Sequence, residues 1–319
     1  MSARGGWRRR RRGSRRPGRG RRPAPCRPAP SCPNQWDRPS PSPPSGSDAR
    51  VSSGASREDV IGATTALVGG GASGIGRATA ERLAHDGWDV VLAGRTEETL
   101  RATASELTPA TGREVRWAVA DLGDPDGADD LVADVEDRFG EIAVLVLNTG
   151  GPPPARILDV DADDWRDAAD LLLIGPMAVA RNVVAGMQER GSGRVVVVTS
   201  TAVRQPMPDL ALSTVLRSAM TAAAKLLAGE VAADGVTVNC VAPGPVATGR
   251  RAQILANRAA ATGASAEQVD ADDLALVPAG RSAEPAEIAA AISFLASAGA
   301  AYVTGTVLTV DGGRTETTW

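Results

Sequence analysis

The 319-residue chain contains three cysteines, one histidine, one tyrosine, two phenylalanines and a single lysine, Lys225. Each scarcity removes a class of function. Cys26, Cys32 and Cys240 make no disulfide framework and suit a reducing, cytoplasmic setting. With His85 as the sole histidine, no histidine-rich metal site can form and no Ser-His-Asp hydrolase is expected. No metal is assigned. No uninterrupted apolar run reaches the ~20 residues of a membrane helix, so no membrane partner is expected.

Charge is unevenly spread. The first fifty residues hold 14 Arg and 2 Asp, a balance of +12. Because the whole chain is at −3, residues 51–319 carry −15. Residues 1–58, rich in Arg and Pro, have too few aliphatic side chains to offset ordering and are expected to be a disordered tail. The tail reads either as a tether for nucleic acid or another anionic surface, or as a plain extension, including residues upstream of a misplaced start. A solvated charge run is the default, so no nucleic-acid partner is expected. The acidic, lysine-poor body fits either a GC-rich genome or adaptation to high salt.

From residue 59 onward, short apolar runs alternate with helical patterns. Strands are predicted at 64–68, 89–93, 115–120, 144–148, 194–200, 237–242 and 306–310. Runs such as VVLAG, VLVL and VVVV do not alternate polar with apolar, as expected of strands covered on both faces. Helices are predicted near 77–85, 96–107, 126–139, 163–189, 210–233 and 284–296, with Gly87, Gly140, Gly191 and Gly235 after them as left-handed caps. Strand–helix alternation with right-handed crossovers implies an α/β fold, a Rossmann-type, doubly wound, parallel seven-stranded sheet with helices on both faces. Residues 59–319 form one domain in this reading. The acidic stretch DVDADDWRDAAD, residues 159–170, lacks the glycine and closing glutamate of a calcium loop and reads as an acidic helix start.

Between the first strand and first helix stands GGGASGIGRATAERLA, residues 69–84. A glycine-rich turn running straight into a helix can seat a pyrophosphate on backbone N–H groups at the positive end of the helix dipole. The glycines fit two frames, Gly69-Gly71-Gly74 or Gly70-Gly74-Gly76, and alone they fit an ordinary tight turn as well.

The motifs farther along the chain select the second frame. Gly70-x-x-x-Gly74-x-Gly76, Asp121-Leu122, Asn148-Thr149-Gly150, Asn239 with Pro243-Gly244-Pro245-Val246-Ala247-Thr248, and Val310-Asp311-Gly312-Gly313 occur in that order. Together they resemble the short-chain dehydrogenase/reductase family, and most of all its 3-oxoacyl-ACP reductase-like branch. The NTGGPPP stretch, residues 148–154, resembles a divergent subgroup. The resemblance implies that Gly70, Ser73, Gly74, Ile75 and Gly76 lie along a diphosphate. It places Asp121 and Leu122 at the adenine, Asn148 and Gly150 at the ribose, and Pro243, Gly244, Val246 and Thr248 at the nicotinamide. Arg95, past the second strand, suits a ribose 2′-phosphate, so NADP is expected, with NAD as the alternative. Glu97 and Glu98 weigh mildly against it.

The family also places a serine, a tyrosine thirteen residues on, a lysine four later, and an asparagine on the preceding helix. Counting from Ser200 gives Ser213 for the tyrosine, Arg217 for the lysine and Leu172 for the asparagine. Ser200, Ser213 and Arg217 are therefore the candidate catalytic residues of a degenerate tetrad. Tyr302 and Lys225 lie too far along the chain to substitute, and Lys225 reads as a surface helix residue. An aliphatic hydroxyl is far less acidic than a phenol of pKa ~10. The resemblance thus implies an NAD(P)-dependent reductase of a small carbonyl or 3-oxoacyl-type substrate with a non-standard proton path. The alternatives are a cofactor-binding pseudoenzyme or redox sensor, and a scaffold without turnover. A homo-oligomer, tetramer or dimer, is expected from the family. Residues 248–281 correspond to its variable substrate lid.

Overall fold

The computed structural model of the chain describes residues 64–318. The expected tail and its two cysteines lie outside these residues. Seven strands occur: β1 (Thr65–Gly69), β2 (Asp89–Gly94), β3 (Val115–Val119), β4 (Ile142–Leu147), β5 (Gly193–Val198), β6 (Val236–Pro243) and β7 (Val307–Val310). They form one parallel sheet in the order β3-β2-β1-β4-β5-β6-β7. The order reverses between β1 and β4, so the chain leaves those neighbouring strands in opposite directions and opens a crevice at their carboxyl ends.

The apolar runs explain the layering. β1, β4, β5 and β6 are buried along their whole length, while the edge strands β3 and β7 are partly open. Nine α-helices cover the sheet and its carboxyl edge among the described residues. They are α1 (Gly74–His85), α2 (Glu97–Thr111), α3 (Ala128–Phe139), α4 (Ala162–Ala169), α5 (Gly175–Arg190), α6 (Ala211–Val231), α7 (Gly249–Thr262), α8 (Ala266–Leu274) and α9 (Pro285–Ala296). On one face Val135 of α3, Val183 of α5 and Met220 of α6 pack on Leu145 and Val195. On the other, Leu83 of α1, Leu100 of α2 and Ile292 of α9 pack on Val68 and Val146.

Three expectations need correction. The helix predicted at 163–189 is not uniform: a π turn, Asp170–Ile174, separates α4 from α5. Gly175, just after it, is pressed so closely on the segment beyond β3 that a Cβ would lie 2.3 Å from the Leu122 carbonyl oxygen. Secondly, the combined stretch Ala162–Arg190 is long and apolar enough to cross a membrane by length and composition. Counting only uninterrupted apolar runs misses it. Val179, Val183 and Met187 sit in the sheet core, so here it serves as an interior helix. Thirdly, Gly140 has positive φ but ψ of 174°, so it is not a left-handed cap, whereas Gly191 and Gly235 are. The acidic stretch starts a helix as expected: Asp161 caps α4 and Asp164 returns a bond to its backbone. The segment 248–281 folds as α7, a turn and α8.

Candidate active site

A cleft of about 550 Å³ opens at the carboxyl ends of β1, β4, β5 and β6. Its floor is the glycine turn. Gly70 and Gly74 adopt positive φ, and a Cβ on Gly76 would stand 2.1 Å from the Gly70 carbonyl oxygen, so only glycine lets α1 begin this close to β1. Asn148 locks the turn to β4 by donating to the Gly69 carbonyl at 3.1 Å.

The start of α1 differs from those of α2, α3 and α4, while α5, which continues from the π turn, and α6 also begin without an acid or a side-chain cap. Acidic residues occupy the first turns of α2, α3 and α4, and Asp161 caps the last of these. The first turn of α1 has no acid, and Ser73 makes no capping bond with its side chain. Its leading amides and the positive end of its dipole are therefore left for an anion. This is the observation that fits a dinucleotide to the chain. Thr248, the N-cap of α7, comes within 3.2 Å of the place a Gly74 Cβ would take, so two helix starts meet across the turn.

Most of the residues expected to bind the cofactor line this cleft: Gly70, Ser73, Gly74, Ile75, Asn148, Gly150, Pro243, Gly244, Val246 and Thr248. Gly76, Leu122, Asp121 and Arg95 do not. Gly76 supports the turn from behind, and Leu122 is buried in the core, 6% exposed. Asp121 accepts from the Gly123 amide at 2.9 Å, and its carboxylate stands 3.9 Å from the exposed Arg95 guanidinium. That pair lies just past the ends of β3 and β2, outside the cleft lining.

Ser200, Ser213 and Arg217 converge on the cleft wall. Ser200 follows β5, and its Oγ accepts from the Ala202 amide at 3.1 Å, which leaves its own hydrogen for another partner. Ser213 and Arg217 are one turn apart on α6, and Arg217 Nε donates to Ser213 Oγ at 3.2 Å. The guanidinium also donates to the Val198 carbonyl at 2.8 Å and the Gly150 carbonyl at 2.9 Å, tying α6 to the ends of β5 and β4. Burial, and then the nearby Arg250 charge, pull the Arg217 pKa down to about 10. Behind this wall Leu172 is buried with Ala168, Leu212 and Leu216, so the position of the family asparagine carries packing here. Lys225 is exposed and donates to the Gly305 carbonyl at 2.9 Å, away from the cleft.

The residues that close the cleft were not singled out in the sequence. Asp273 of α8, 8% exposed, accepts from Arg251 and Arg314 at 2.8 Å and from Arg258 at 3.3 Å. Arg258 also pairs with Asp209 through both carboxylate oxygens, and Arg251 with Asp270. This network joins α7, α8, the loop before α6 and the segment after β7. Burial would raise the Asp273 pKa, but bonds from Arg314 and Arg251 outweigh it and hold the carboxyl down to about 2. The one sequence signal was the Arg250-Arg251 pair just past Thr248. Most partners in the network lie far along the chain and have no local pattern.

A family model described as enoyl-(acyl carrier protein) reductase matches residues 70–315. The 3-oxoacyl-[acyl-carrier-protein] reductase of Synechocystis sp. is 34% identical over 252 residues, 79% of this chain and 96% of that protein. Among solved structures, a variant of the actinorhodin polyketide ketoreductase with NADPH is 34% identical with a TM-score of 0.77, over 80% of this chain and 98% of the other. An NADPH-bound short-chain oxidoreductase of Pseudomonas aeruginosa PAO1, described as containing an atypical catalytic centre, is 30% identical with a TM-score of 0.71, over 80% of this chain and 97% of the other.

Proposed function

The chain belongs to the short-chain dehydrogenase/reductase family, and from that premise we propose that it is an NADP-dependent reductase of a small carbonyl or 3-oxoacyl-type substrate, working with a non-standard proton path. The observation that carries the reading is the uncapped, acid-free start of α1 opening onto the cleft that holds Ser200, Ser213 and Arg217. NADPH in relatives at 30–34% identity, and Arg95 at the end of β2, favour NADP over NAD.

When bound, the reduced cofactor supplies a hydride to the carbonyl carbon. Ser73, Gly74 and Ile75 would hold its diphosphate, Asn148 and Gly150 its ribose, and Pro243, Gly244, Val246 and Thr248 its nicotinamide. Ser200 and Ser213 would direct their hydroxyl hydrogens at the carbonyl oxygen. Because Arg217 donates to Ser213 Oγ, the Ser213 hydrogen points away from the guanidinium and would be free to turn to a substrate oxygen in the cleft. Neither serine is acidic enough to replace a phenol, so water delivers the proton. Loss of a positioned general acid costs about 10² to 10⁴ in rate, while the gain from holding the reactants together survives. A slow reductase is the expected outcome.

The free, buried Cys240 suits a reducing cytoplasm. Exposed apolar side chains, Leu158, Ile174, Val215 and Leu226, would be covered in a homo-oligomer. The test is a fluorescence titration with NADPH and then turnover on a panel of ketones and acyl thioesters. Binding with measurable NADPH consumption supports the reading, and no affinity for NADPH or NADH at millimolar levels refutes it.

A further inference from the structure

Five arginines line the cleft, Arg217, Arg250, Arg251, Arg258 and Arg314, against one lining carboxylate, Asp273. Three of them are compensated. Arg251, Arg258 and Arg314 gather on Asp273, and Asp270 and Asp209 complete a cluster of three cations and three anions. Arg217 and Arg250 are different. Among the described residues neither has a carboxylate within ion-pair distance, and their bonds go to neutral acceptors. Arg217 spends three N–H groups on Ser213, Val198 and Gly150, and Arg250 two on Gln253 and Pro152. A guanidinium has five N–H donors, so half of the pair's donors remain.

The two side chains come from different helices, α6 and α7, and meet on one short segment, residues 150–152. A Cβ on Gly151 would stand 3.0 Å from an Arg250 nitrogen, so the guanidinium lies against that backbone. Their charges oppose each other: Arg250 adds to burial in lowering the Arg217 pKa, and burial lowers that of Arg250 as well. A bound anion would relieve both. The diphosphate of a dinucleotide has its own seat at the start of α1. Arg250 turns instead toward the chain beyond β4, next to Arg217 and hence to Ser213.

We propose that the substrate is an oxo acid with a free carboxylate close to its carbonyl. Arg250 and Arg217 take the carboxylate, Ser200 and Ser213 face the carbonyl, and Met207, Leu210 and Ile254 of the cleft wall cover the apolar remainder. The assignment rests on the reductase reading and narrows it. A neutral ester or thioester at the same place would leave both guanidiniums without a counter-charge, and Arg forks match planar carboxylates well.

Acetoacetate and methyl acetoacetate are suitable probes, titrated calorimetrically into the protein saturated with NADP⁺, where no reduction can occur, and into the protein alone. The acid is expected to bind at least tenfold more tightly than the ester. Arg250→Met should erase that preference, and Arg250→Lys should restore part of it. Equal binding of acid and ester by the wild-type protein overturns the proposal. So does an Arg250→Met protein that keeps the preference, and weaker NADP⁺ binding by that variant would show that Arg250 serves the cofactor instead. Should Arg250→Met not fold, the wild-type comparison still decides. Failure to bind NADP⁺ or NADPH would sink the reductase reading, and the comparison on the protein alone would then decide on the arginine pair.

Discussion

Replacing Asp273 by asparagine removes the charge on which three guanidiniums converge. The side chains involved are largely enclosed: Arg251 is 13% exposed, Arg314 12%, Arg258 23% and Asp273 8%. The Asp273 pKa, lowered from 3.8 to about 2, corresponds to about 2 kcal/mol of preference for the charged form, at 1.36 kcal/mol per unit. Breaking a buried ion pair from one side costs roughly 3–5 kcal/mol. Arg251 keeps Asp270 and Arg258 keeps Asp209, so the expected loss sits at or just under the lower end of that range, about 2–3 kcal/mol. Arg314 is the residue left without a partner.

For a domain of this size, that loss lowers the Tm by roughly 4–12 °C, at about 2–4 °C per kcal/mol. The pH dependence has a definite sign. Asp273 has a depressed folded-state pKa, so its contribution is fully present above its unfolded value near 3.8 and is lost as pH falls through about 2. The wild-type protein should therefore exceed Asp273→Asn by a constant margin from neutral pH to about 5, and the margin should narrow between about pH 4 and pH 2. Thermal or urea unfolding of both proteins across that range measures it, with Arg314→Met and the double variant closing a cycle. A Tm difference below about 2 °C at neutral pH, or additive effects of the two substitutions, would refute the account of the network.

Ser213→Tyr combined with Arg217→Lys restores the family pair on one face of α6 and should raise kcat on a ketone by about 10²-fold or more. No gain, with NADPH affinity intact, would mean that the carbonyl does not sit at Ser213. Arg95→Ala should cut the preference for NADPH over NADH about tenfold, read from the two dissociation constants, because the guanidinium beside Asp121 has no other carboxylate at hand among the described residues. Gly76→Ala puts a methyl group 2.1 Å from the Gly70 carbonyl oxygen, and should abolish NADPH binding in titration. Burial raises the Cys240 pKa to about 12 against an opposing bond from Thr221, so this thiol should resist a thiol reagent at neutral pH until denaturant is added.

Much of the fold can be read locally. Unbroken apolar runs such as VVVV before Thr199 have only one comfortable place, between two helical layers, and the strands fall close to their expected bounds at both ends. The glycine turn was equally legible, since backbone that must approach a ligand or a neighbouring carbonyl tolerates no Cβ. The same spacing brought Ser200, Ser213 and Arg217 to one wall. The ion-pair network of α7 and α8 was hidden for a physical reason. Asp209, Arg258, Asp273 and Arg314 look like ordinary surface charges until the chain folds, and their pairing spans up to 49 residues between Asp209 and Arg258. The π turn was hidden too, because Leu171, Leu172 and Leu173 suit an α-helix equally well.

That widened turn sets a limit on how the chain can vary in length. Successive residues of an α-helix are offset by about 100° around its axis. The π turn at 170–174 takes up one residue more than an α turn and so keeps its two flanks in register, whereas deleting one residue from the regular winding at the start of α5 would rotate everything before it by about that angle relative to the rest of α5. Ala168 and Leu172 would swing off Leu212 and Leu216, the apolar backing of the helix that carries Ser213. A one-residue deletion there, harmless by composition, would thus misaim a hydroxyl on a different helix far downstream.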